Sequence, residues 1–306
     1  MPSSLIPFAP DPPRALLADT MRPPRAKPRR SRAWRVVVLG AFLAGAVVWG
    51  QRGFFGGGQI NVPPGVRTAR EIPTRSTGTP LWENPLGFGI DVFTFARLRY
   101  DAAPRPAGRR RGGWTTDLPD ADLNLSYRLQ QLTALRVEPN CRLVRPTDPD
   151  FDQYPFLFAA APGAMALTEE EIVALRKHLL NGGFLLTTDS WGDEDWAGIE
   201  RLFGVVLPGL KFEELPIEHP LYRIVVPIRQ KEQVPNINIG IKVAGTQIMH
   251  RVIFDAKGRI VVMVLHNSDD SDGWEREGEN HEYFEKWSER VAYPLAINII
   301  CYVMTH

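Results

Sequence analysis

Two polar stretches of the chain, each after a run of apolar residues, hold residue types that acid–base or nucleophilic chemistry needs. The first reads TTDSWGDEDW from Thr187 and places Asp189 next to Ser190. The second follows the apolar run from Ile260 and begins at His266. A serine becomes a nucleophile when a histidine accepts its proton and an acid orients that histidine. The sequence therefore predicts either a hydrolytic trio of Asp189, Ser190 and His266 or a structural role for the histidine.

The acidic residues that follow Ser190 also have a structural explanation. The acids at 193 to 195 stand where a helix is predicted to begin. Carboxylates at that place accept hydrogen bonds from free backbone N–H groups and favour the positive helix end, and the first of the three is the predicted N-cap. Ser190 itself departs from the G-x-S-x-G nucleophile pattern, because Thr188 occupies the first glycine position. Asp189 and Trp191 therefore remain the stronger binding candidates of this loop.

Polar and aromatic residues that follow other predicted strands are expected at the same edge of the sheet. Ligands of an open α/β sheet bind beyond the carboxyl ends of its strands. Two segments, WTTDLPDADLN from residue 114 and NSDDSDGWE from residue 267, are placed there by the predicted elements. For Trp114, packing in the core is the alternative role. The predicted ligand-binding residues are Trp114, Asp117, Trp191, Asn267, Asp269 and Trp274.

The segment NSDDSDGWEREGE, residues 267 to 279, partly matches the spacing of a calcium-binding loop. Asp270 and Asp272 would supply its third and fifth positions, and Glu279 would supply the bidentate twelfth. Ser268 replaces the usual first Asp, and a strand precedes the segment where a helix is usual. The segment is therefore a calcium loop, a solvated acidic turn or a family-specific ligand loop. In each case we expect one cleft lined by Asp189, His266, Asp269, Asp272, Trp191 and Trp274.

The elements that must position these residues alternate between strands and helices. The alternating residues from Val92 and the apolar runs around Phe156 and Phe184 predict three strands. Before the third strand, LTEEEIVALRKHLLNGG predicts a helix with Thr168 as N-cap, Glu171 completing a capping box, and a glycine stop. Such alternation implies a mostly parallel sheet that is covered by helices on both faces.

Two further helices and a hairpin complete the predicted domain. Asp120 is the predicted N-cap of the helix after the first strand. Apolar runs on either side of a turn at 255–258 predict a hairpin whose second arm, from Ile260, is a central strand. Pro294 opens an apolar closing helix that is too short to span a membrane. The predicted fold is a three-layer α/β sandwich, in which the Ile260 strand shares one sheet with three parallel strands.

The residues before this domain divide into three parts. Residues 1–35 are a basic lead, and residues 36–50 are uncharged and apolar. As a helix the apolar run covers about 22 Å, short of the roughly 30 Å of a bilayer core. It is predicted to be a signal-peptide core, with Ala44-Gly45-Ala46 as the cleavage pattern, or an uncleaved membrane anchor; the remaining alternative is a buried helix of a cytosolic protein. Residues 51–90, rich in Gly and Pro, are a predicted linker to the α/β domain of residues 91–306.

Charge and cysteine content bear on the compartment and the partners. The positive-inside rule keeps the basic lead in the cytoplasm and sends the remainder outward, to the periplasm in a two-membrane cell. Beyond residue 50 there are 28 basic and 33 acidic residues. This acidic balance argues against nucleic acid as a partner. Cys141 and Cys301 are the only cysteines, and they form either one disulfide or two free thiols.

Several segments of the chain resemble one family of exported bacterial proteins. They are DVFTFARLRYD, WTTDLPDADLNL, YPFLF, GGFLLTTDSWG, EHPLYR, NSDDSDGWE and INIICYVMTH. Together they look like the DUF4159 family, whose function is uncharacterised, over residues 91–306. The resemblance implies a flavodoxin-like sandwich of the class I glutamine amidotransferase-like kind, related through the ThuA-like group. The amidotransferases place a Cys nucleophile on a strand-to-helix elbow, and neither Cys141 nor Cys301 stands in such a context.

These features lead to an expected function with two rivals. The first expectation is an exported or membrane-anchored domain that binds a small ligand or a cell-envelope protein. In the anchored case its N-terminal segment holds it to the membrane. The first rival is a hydrolase or sugar-modifying enzyme of the ThuA-like kind that uses acidic residues at the strand ends. The second rival is a cell-envelope scaffold. The cofactor stays open at this point, and calcium is the candidate that the partial match of the acids to a calcium loop offers.

Overall fold

The computed structural model describes residues 60–76, 78–85, 91–103, 113–238, 240–241 and 247–306. Residues 1–35 and 36–50, predicted as the basic lead and the signal or anchor, lie outside these ranges. Among the described residues, none of the helices combines the length and the apolar character needed to cross a membrane.

The described part of the predicted linker packs on the domain. Its short 3₁₀ helix, Ala69–Glu71, buries Ala69 completely, and Ile72 is also buried. Arg67 donates to Asp148 and to Asp150, each at 2.9 Å. Burial and ion pairs therefore hold this segment against the α/β domain.

A seven-stranded sheet forms the centre of the domain. In chain order the strands are β1 (Ala96–Leu98), β2 (Asp101–Ala102), β3 (Arg142–Val144), β4 (Phe156–Ala160), β5 (Met165–Ala166), β6 (Phe184–Ser190), β7 (Glu213–Glu214), β8 (Met249–Phe254) and β9 (Ile260–His266). The sheet order is β3-β1-β4-β6-β9-β8-β7, and β2 pairs separately with β5. In this order the first five strands are parallel: β3, β1, β4, β6 and β9. Strands β8 and β7 run antiparallel to their neighbours.

Helices cover both faces of this sheet. They are α1 (Asp120–Leu132), α2 (Glu169–Leu180), α3 (Gly192–Val206), α4 (Asp270–Glu275), α5 (His281–Tyr283), a π-helix (Phe284–Ala292) and α6 (Tyr293–Thr305). Helices α1, α4 and α6 share one apolar core with the sheet, and α2 and α3 share a second core on its other face. Every residue of β9 is buried, because this strand lies between the two cores. The predicted three-layer, mostly parallel sandwich is confirmed.

Several local predictions are confirmed and others are corrected. Thr168 and Glu171 form the predicted capping box at the start of α2. The N-cap of α1 is Pro119 rather than Asp120. The first strand is shorter than expected, since β1 begins four residues after Val92. Before β1, Phe93 forms an isolated bridge with Val137, and Thr68 forms one with Arg142 of β3.

The start of α3 also differs from its prediction, because a residue distant in sequence satisfies the free N–H groups. The N-cap position is Trp191, and Asp193 lies inside the first turn. Asn267, at the end of β9, accepts a hydrogen bond from Gly192 N at 2.8 Å. Asp195 accepts one from Trp191 N at 2.9 Å. The first turn of α3 is therefore capped by Asn267 from another strand and by Asp195 from the helix itself.

Candidate functional site

Two residues at the carboxyl ends of β6 and β9 have left-handed backbone conformation. Asp189 has a φ of 57° and Asn267 a φ of 62°. A register shift between β6 and β9 accompanies Asp189, and Asn267 N donates to Ser190 O at 2.7 Å. A non-glycine residue in this region costs energy, although Asp and Asn tolerate it best. Such strained residues cluster at functional sites, so this edge of the sheet is the first place to look for one.

A third residue of this kind, Asp117, comes from the loop that precedes α1. Its φ is 60°. Arg97, on β1, holds the loop by donating to Trp114 O at 2.9 Å and to Thr116 O at 2.8 Å. The buried Arg97 is itself oriented by Asp122, which accepts from its Nε at 2.8 Å. A buried ion pair under the loop thus determines where Asp117 lies.

Three carboxylates converge at this edge. One oxygen of each of Asp117, Asp269 and Asp272 lies within 4.8 Å of the others. Asp189 and Glu275 are close enough to act on the charge of this cluster. We call these five residues the acidic cluster. Asp269 and Asp272 are buried, whereas Asp117 and Asp189 are half-buried, so the cluster is reached from solvent on the side of Asp117 and Asp189.

Hydrogen bonds hold the two buried members of the cluster from an irregular segment after β7. Asn236 donates to Asp269 Oδ2 at 3.0 Å, and Ile237 N donates to Asp272 Oδ2 at 2.6 Å. Arg276 provides positive charge: its Nε lies 3.6 Å from Asp272 Oδ1 and 2.7 Å from the Glu275 carboxylate. One guanidinium therefore faces several carboxylates.

The protonation of the acidic cluster reflects burial first and mutual repulsion second. Burial raises the pKa of Asp117 to about 7, and the charges of Asp272 and Asp189 add to the effect. Burial and the charge of Asp117 raise the pKa of Glu275 to about 9. Burial also raises the pKa of Asp272. Since like charges in a buried site oppose ionisation, the cluster retains protons near neutral pH when nothing else neutralises it.

Ser190 and His266 lie on the other face of the sheet, toward α3. Ser190 Oγ is 3.0 Å from His266 Nδ1, and the imidazole contacts the ring of Trp196. Burial, followed by the charge of Arg251, lowers the pKa of His266 to about 4. Ser190 is completely buried and His266 is 2% exposed. A neutral histidine beside a serine hydroxyl is therefore present, but neither side chain is open to solvent.

Asp189 does not share this position with the serine and the histidine. Its Oδ1 accepts from Trp191 Nε1 at 2.8 Å, and its charge acts on Asp117 and Asp272. The structure brings Ser190 and His266 together, as predicted, and places Asp189 in the acidic cluster instead of behind the histidine. Adjacent side chains of a strand leave on opposite faces; what the sequence did not indicate is the bulge in β6, which decides the face that each of the two residues takes.

The comparison with protein families agrees with the segments that define this edge. A family model described as a domain of unknown function, DUF4159, matches residues 94–304. The chain belongs to the DUF4159 family. No curated protein matches it. The matched range includes the whole sheet and every member of the acidic cluster.

The predicted ligand residues of this DUF4159 domain have different environments. Trp274 is completely buried and contacts the Phe158 ring, which places it in the core. Trp191 is also buried. Trp114 is half-buried under the guanidinium of Arg99, 4.9 Å from the ring centre. Asn267 donates to Gln247 O at 2.7 Å in addition to capping α3. Asp117 and Asp269 are the two that join the acidic cluster.

The segment predicted as a calcium loop has another conformation. Residues Asp270–Glu275 form helix α4, with Asp269 as its N-cap. Asp270 is completely buried, both its oxygens lack a hydrogen-bond partner within the described ranges, and burial raises its pKa to about 7. Glu279 is exposed and accepts from Arg276 at 3.2 Å. The loop geometry is therefore not formed, and only Asp272 of the three predicted ligands lies among the converging carboxylates.

Glu275 and Arg276 belong to this region, although no motif of the sequence pointed to them. Asp272, Glu275 and Arg276 follow one another at helical spacing of three and four residues. The helix over 270–275 places them together, whereas the partial match to calcium-loop spacing predicts a loop for this segment.

A cavity of about 270 Å³ lies away from the acidic cluster. Arg128 and Leu132 of α1, Val225, Phe284 of the π-helix and Ile297 of α6 are among the residues that line it. None of its lining residues belongs to the acidic cluster.

Proposed function

We propose that this DUF4159 domain works outside the cytoplasm, exported or anchored by residues 36–50, and binds a small polar ligand at the acidic cluster. The observation that carries the proposal is the convergence of five carboxylates at the carboxyl ends of parallel strands, where α/β proteins bind ligands. The basic lead before an apolar run supports the location.

The charge of the acidic cluster indicates the chemistry of that ligand. Arg276, whose contacts to Asp272 and Glu275 are described above, sets one positive charge against five acids, whose burial and mutual repulsion oppose their ionisation. A ligand with positive charge, or with several hydrogen-bond donors, would relieve this repulsion on binding. We therefore propose a cationic or donor-rich ligand rather than an anion.

Fusion reporters test the location. Alkaline phosphatase joined after residue 90 should be active, because the enzyme matures outside the cytoplasm and the preceding apolar run should export it. A β-galactosidase fusion at the same residue should be inactive. The reverse pattern, with an active β-galactosidase fusion only, would place the domain in the cytoplasm and end this part of the proposal.

Thermal unfolding with small amines tests the binding site. We expect amino sugars or polyamines at millimolar concentration to raise the melting temperature of the protein. Asp189→Asn should remove most of the shift, because it removes a half-buried charge of the cluster. Asp193→Asn is the matched control, since Asp193 is exposed on α3 and should leave the shift intact. Equal shifts in both variants would contradict binding at the acidic cluster.

A hydrolase is the second candidate, and two observations favour it. The carboxyl groups of Asp117 and Glu275 have raised pKa values, as a general acid requires. Ser190 and His266 form a hydrogen-bonded pair. Nitrophenyl esters and glycosides would report turnover: Asp117→Asn should abolish a carboxylate-based reaction, whereas Ser190→Ala should abolish a serine-based one. Wild-type protein without turnover on either class would remove this candidate.

A further inference from the structure

The spacing of three oxygens in the acidic cluster matches the coordination shell of a hard divalent cation. The ligand atoms of Asp117, Asp269 and Asp272 all lie within 4.8 Å of one another. Calcium binds oxygens at about 2.3–2.6 Å, so two oxygens on opposite sides of the ion are about 4.6–5.2 Å apart and adjacent oxygens are closer. Magnesium requires a tighter shell of about 2.0–2.1 Å. The separations of the three carboxylate oxygens are therefore closer to those of a calcium shell than to those of a magnesium shell.

Buried polar atoms without partners provide a second observation at the same place. The Ser271 side chain is completely buried, and its hydroxyl lies against the Asp117 carboxyl. Neither Ser271 Oγ nor Asp117 Oδ2 has a partner at hydrogen-bonding geometry within the described part of the chain. Buried side-chain oxygens nearly always have a partner in the protein, in ordered water or in a bound ion. These two unpartnered oxygens, which face the cluster, indicate a bound group.

The remaining contacts hold the carboxylates as a coordination site would need. Asn236 donates to one oxygen of Asp269, and Ile237 N donates to one oxygen of Asp272. These bonds fix the orientation of both carboxylates. Arg97 fixes the loop that carries Asp117. Ligands held by surrounding hydrogen bonds bind metal ions more tightly than mobile ones.

We propose that Asp117, Asp269 and Asp272 bind one calcium ion, with the Ser271 hydroxyl and water completing its shell. The proposal rests on the proposed function, because it names a cation as the ligand, or as part of the ligand, at the same site. It replaces the linear loop predicted from residues 267 to 279 by ligands from two separate segments, the loop before α1 and the start of α4.

Thermal unfolding of the detergent-solubilised full chain, freed of metal with EDTA and then dialysed, tests the proposal. Calcium at 1 mM should raise the melting temperature by about 5 °C, since binding to the folded state alone stabilises it, and excess EDTA should reverse the shift. Asp117→Asn and Asp272→Asn should each reduce the shift to less than a third. Glu170→Gln, which removes one exposed acid of α2, should keep the full shift.

Equilibrium dialysis with radioactive calcium on the wild-type chain gives a measurement that does not depend on the variants folding. One bound calcium per chain is expected. Absence of binding at 1 mM, or an equal thermal shift in Asp272→Asn and Glu170→Gln, would overturn the calcium site. Loss of calcium binding with retained amine binding would leave the proposed function standing. A cytoplasmic fusion result with retained calcium binding would overturn only the location.

Discussion

At the scale of single residues, one buried ion pair supports the geometry of the candidate site. Arg97 and Asp122 are both completely buried and form a bidentate contact. Arg97 also binds the backbone of the loop that carries Asp117 and lies 4.8 Å from the centre of the Phe158 ring. Removal of one partner would leave the other charge buried without compensation, which is more costly than the loss of both.

We therefore predict that Arg97→Met lowers the free energy of unfolding by about 3–5 kcal/mol. The double variant Arg97→Met with Asp122→Leu should recover part of this loss, because no buried charge remains. Urea unfolding followed by tryptophan fluorescence measures both values. If the double variant were less stable than Arg97→Met, the ion pair would not be the source of the effect.

His266 gives a residue-scale prediction about acid stability. Burial and Arg251 lower its pKa in the folded state to about 4, whereas an unfolded histidine titrates at about 6.5. The unfolded chain therefore binds more protons between these values, and stability is full above pH 6.5 and falls as the pH decreases toward 4. His266→Gln should reduce this loss, as measured by melting temperature from pH 7.5 to 4.5.

The effect of His266→Gln should be partial rather than complete. Burial also lowers the pKa of His250, to about 3, so His250 contributes to the same acid loss. Lys257→Gln, at the exposed turn of the β8–β9 hairpin, should leave the acid profile unchanged. An acid profile of His266→Gln identical to that of the wild type would show that His266 does not titrate as the structure indicates.

At the scale of elements, α3 is placed by a close approach of its backbone to the turn after β4. A Cβ atom at Gly198 would lie 2.9 Å from Gly163 O, and one at Gly163 would lie 2.7 Å from the Asp195 side chain. The carbonyl oxygen of Gly163 is a backbone atom, so it cannot move aside for a Cβ atom as the end of a flexible side chain can. Two glycines, one on each element, therefore allow α3 to pack closely against the turn after β4.

Two alanine substitutions within α3 should have opposite effects for this reason. Gly198→Ala should destabilise the protein by about 1–3 kcal/mol, because the added methyl group overlaps backbone. Gly204→Ala should stabilise it by about 0.5–1 kcal/mol, because a Cβ there meets nothing within 4 Å and alanine has the better helix propensity. Chemical unfolding of the two variants measures the contrast. Similar stabilities would argue against the close approach.

At the scale of the whole molecule, stability comes from two apolar cores on either side of one sheet, without a disulfide. Cys141 and Cys301 are both free, and Cys141 is buried beside Ser126 Oγ at 3.1 Å. The sequence left open one disulfide or two free thiols, and the structure has two free thiols. Burial raises the pKa of the Cys141 thiol, which suppresses its reactivity.

We predict that a reducing agent leaves the melting temperature of the protein unchanged, even when the protein is purified from an oxidising compartment. Thiol titration after denaturation without reductant should find two groups per chain. If the titration found almost no free thiols and reduction lowered the melting temperature, the two cysteines would be paired.

The sequence by itself determined the layered fold, because each prediction relied on patterns that act locally. The capping box at Thr168 and Glu171 depends on residues three apart. The uninterrupted apolar run of β9 requires burial on both faces, wherever the strand lies. Tandem strand–helix units then lead to a parallel sheet with two covering layers. The family segments agreed with the same order of elements.

Only the tertiary structure decided which residues meet at the candidate site. The bulge in β6 interrupts the regular alternation of side chains, so that Asp189 joins the acidic cluster and Ser190 lies toward α3. Asp117 meets Asp272, which is distant in the chain, because the buried Arg97 holds the loop that carries Asp117. Asn267 caps α3 from another strand. Backbone dihedrals and contacts between distant segments set these positions, and neither is encoded in the periodicity of a single stretch.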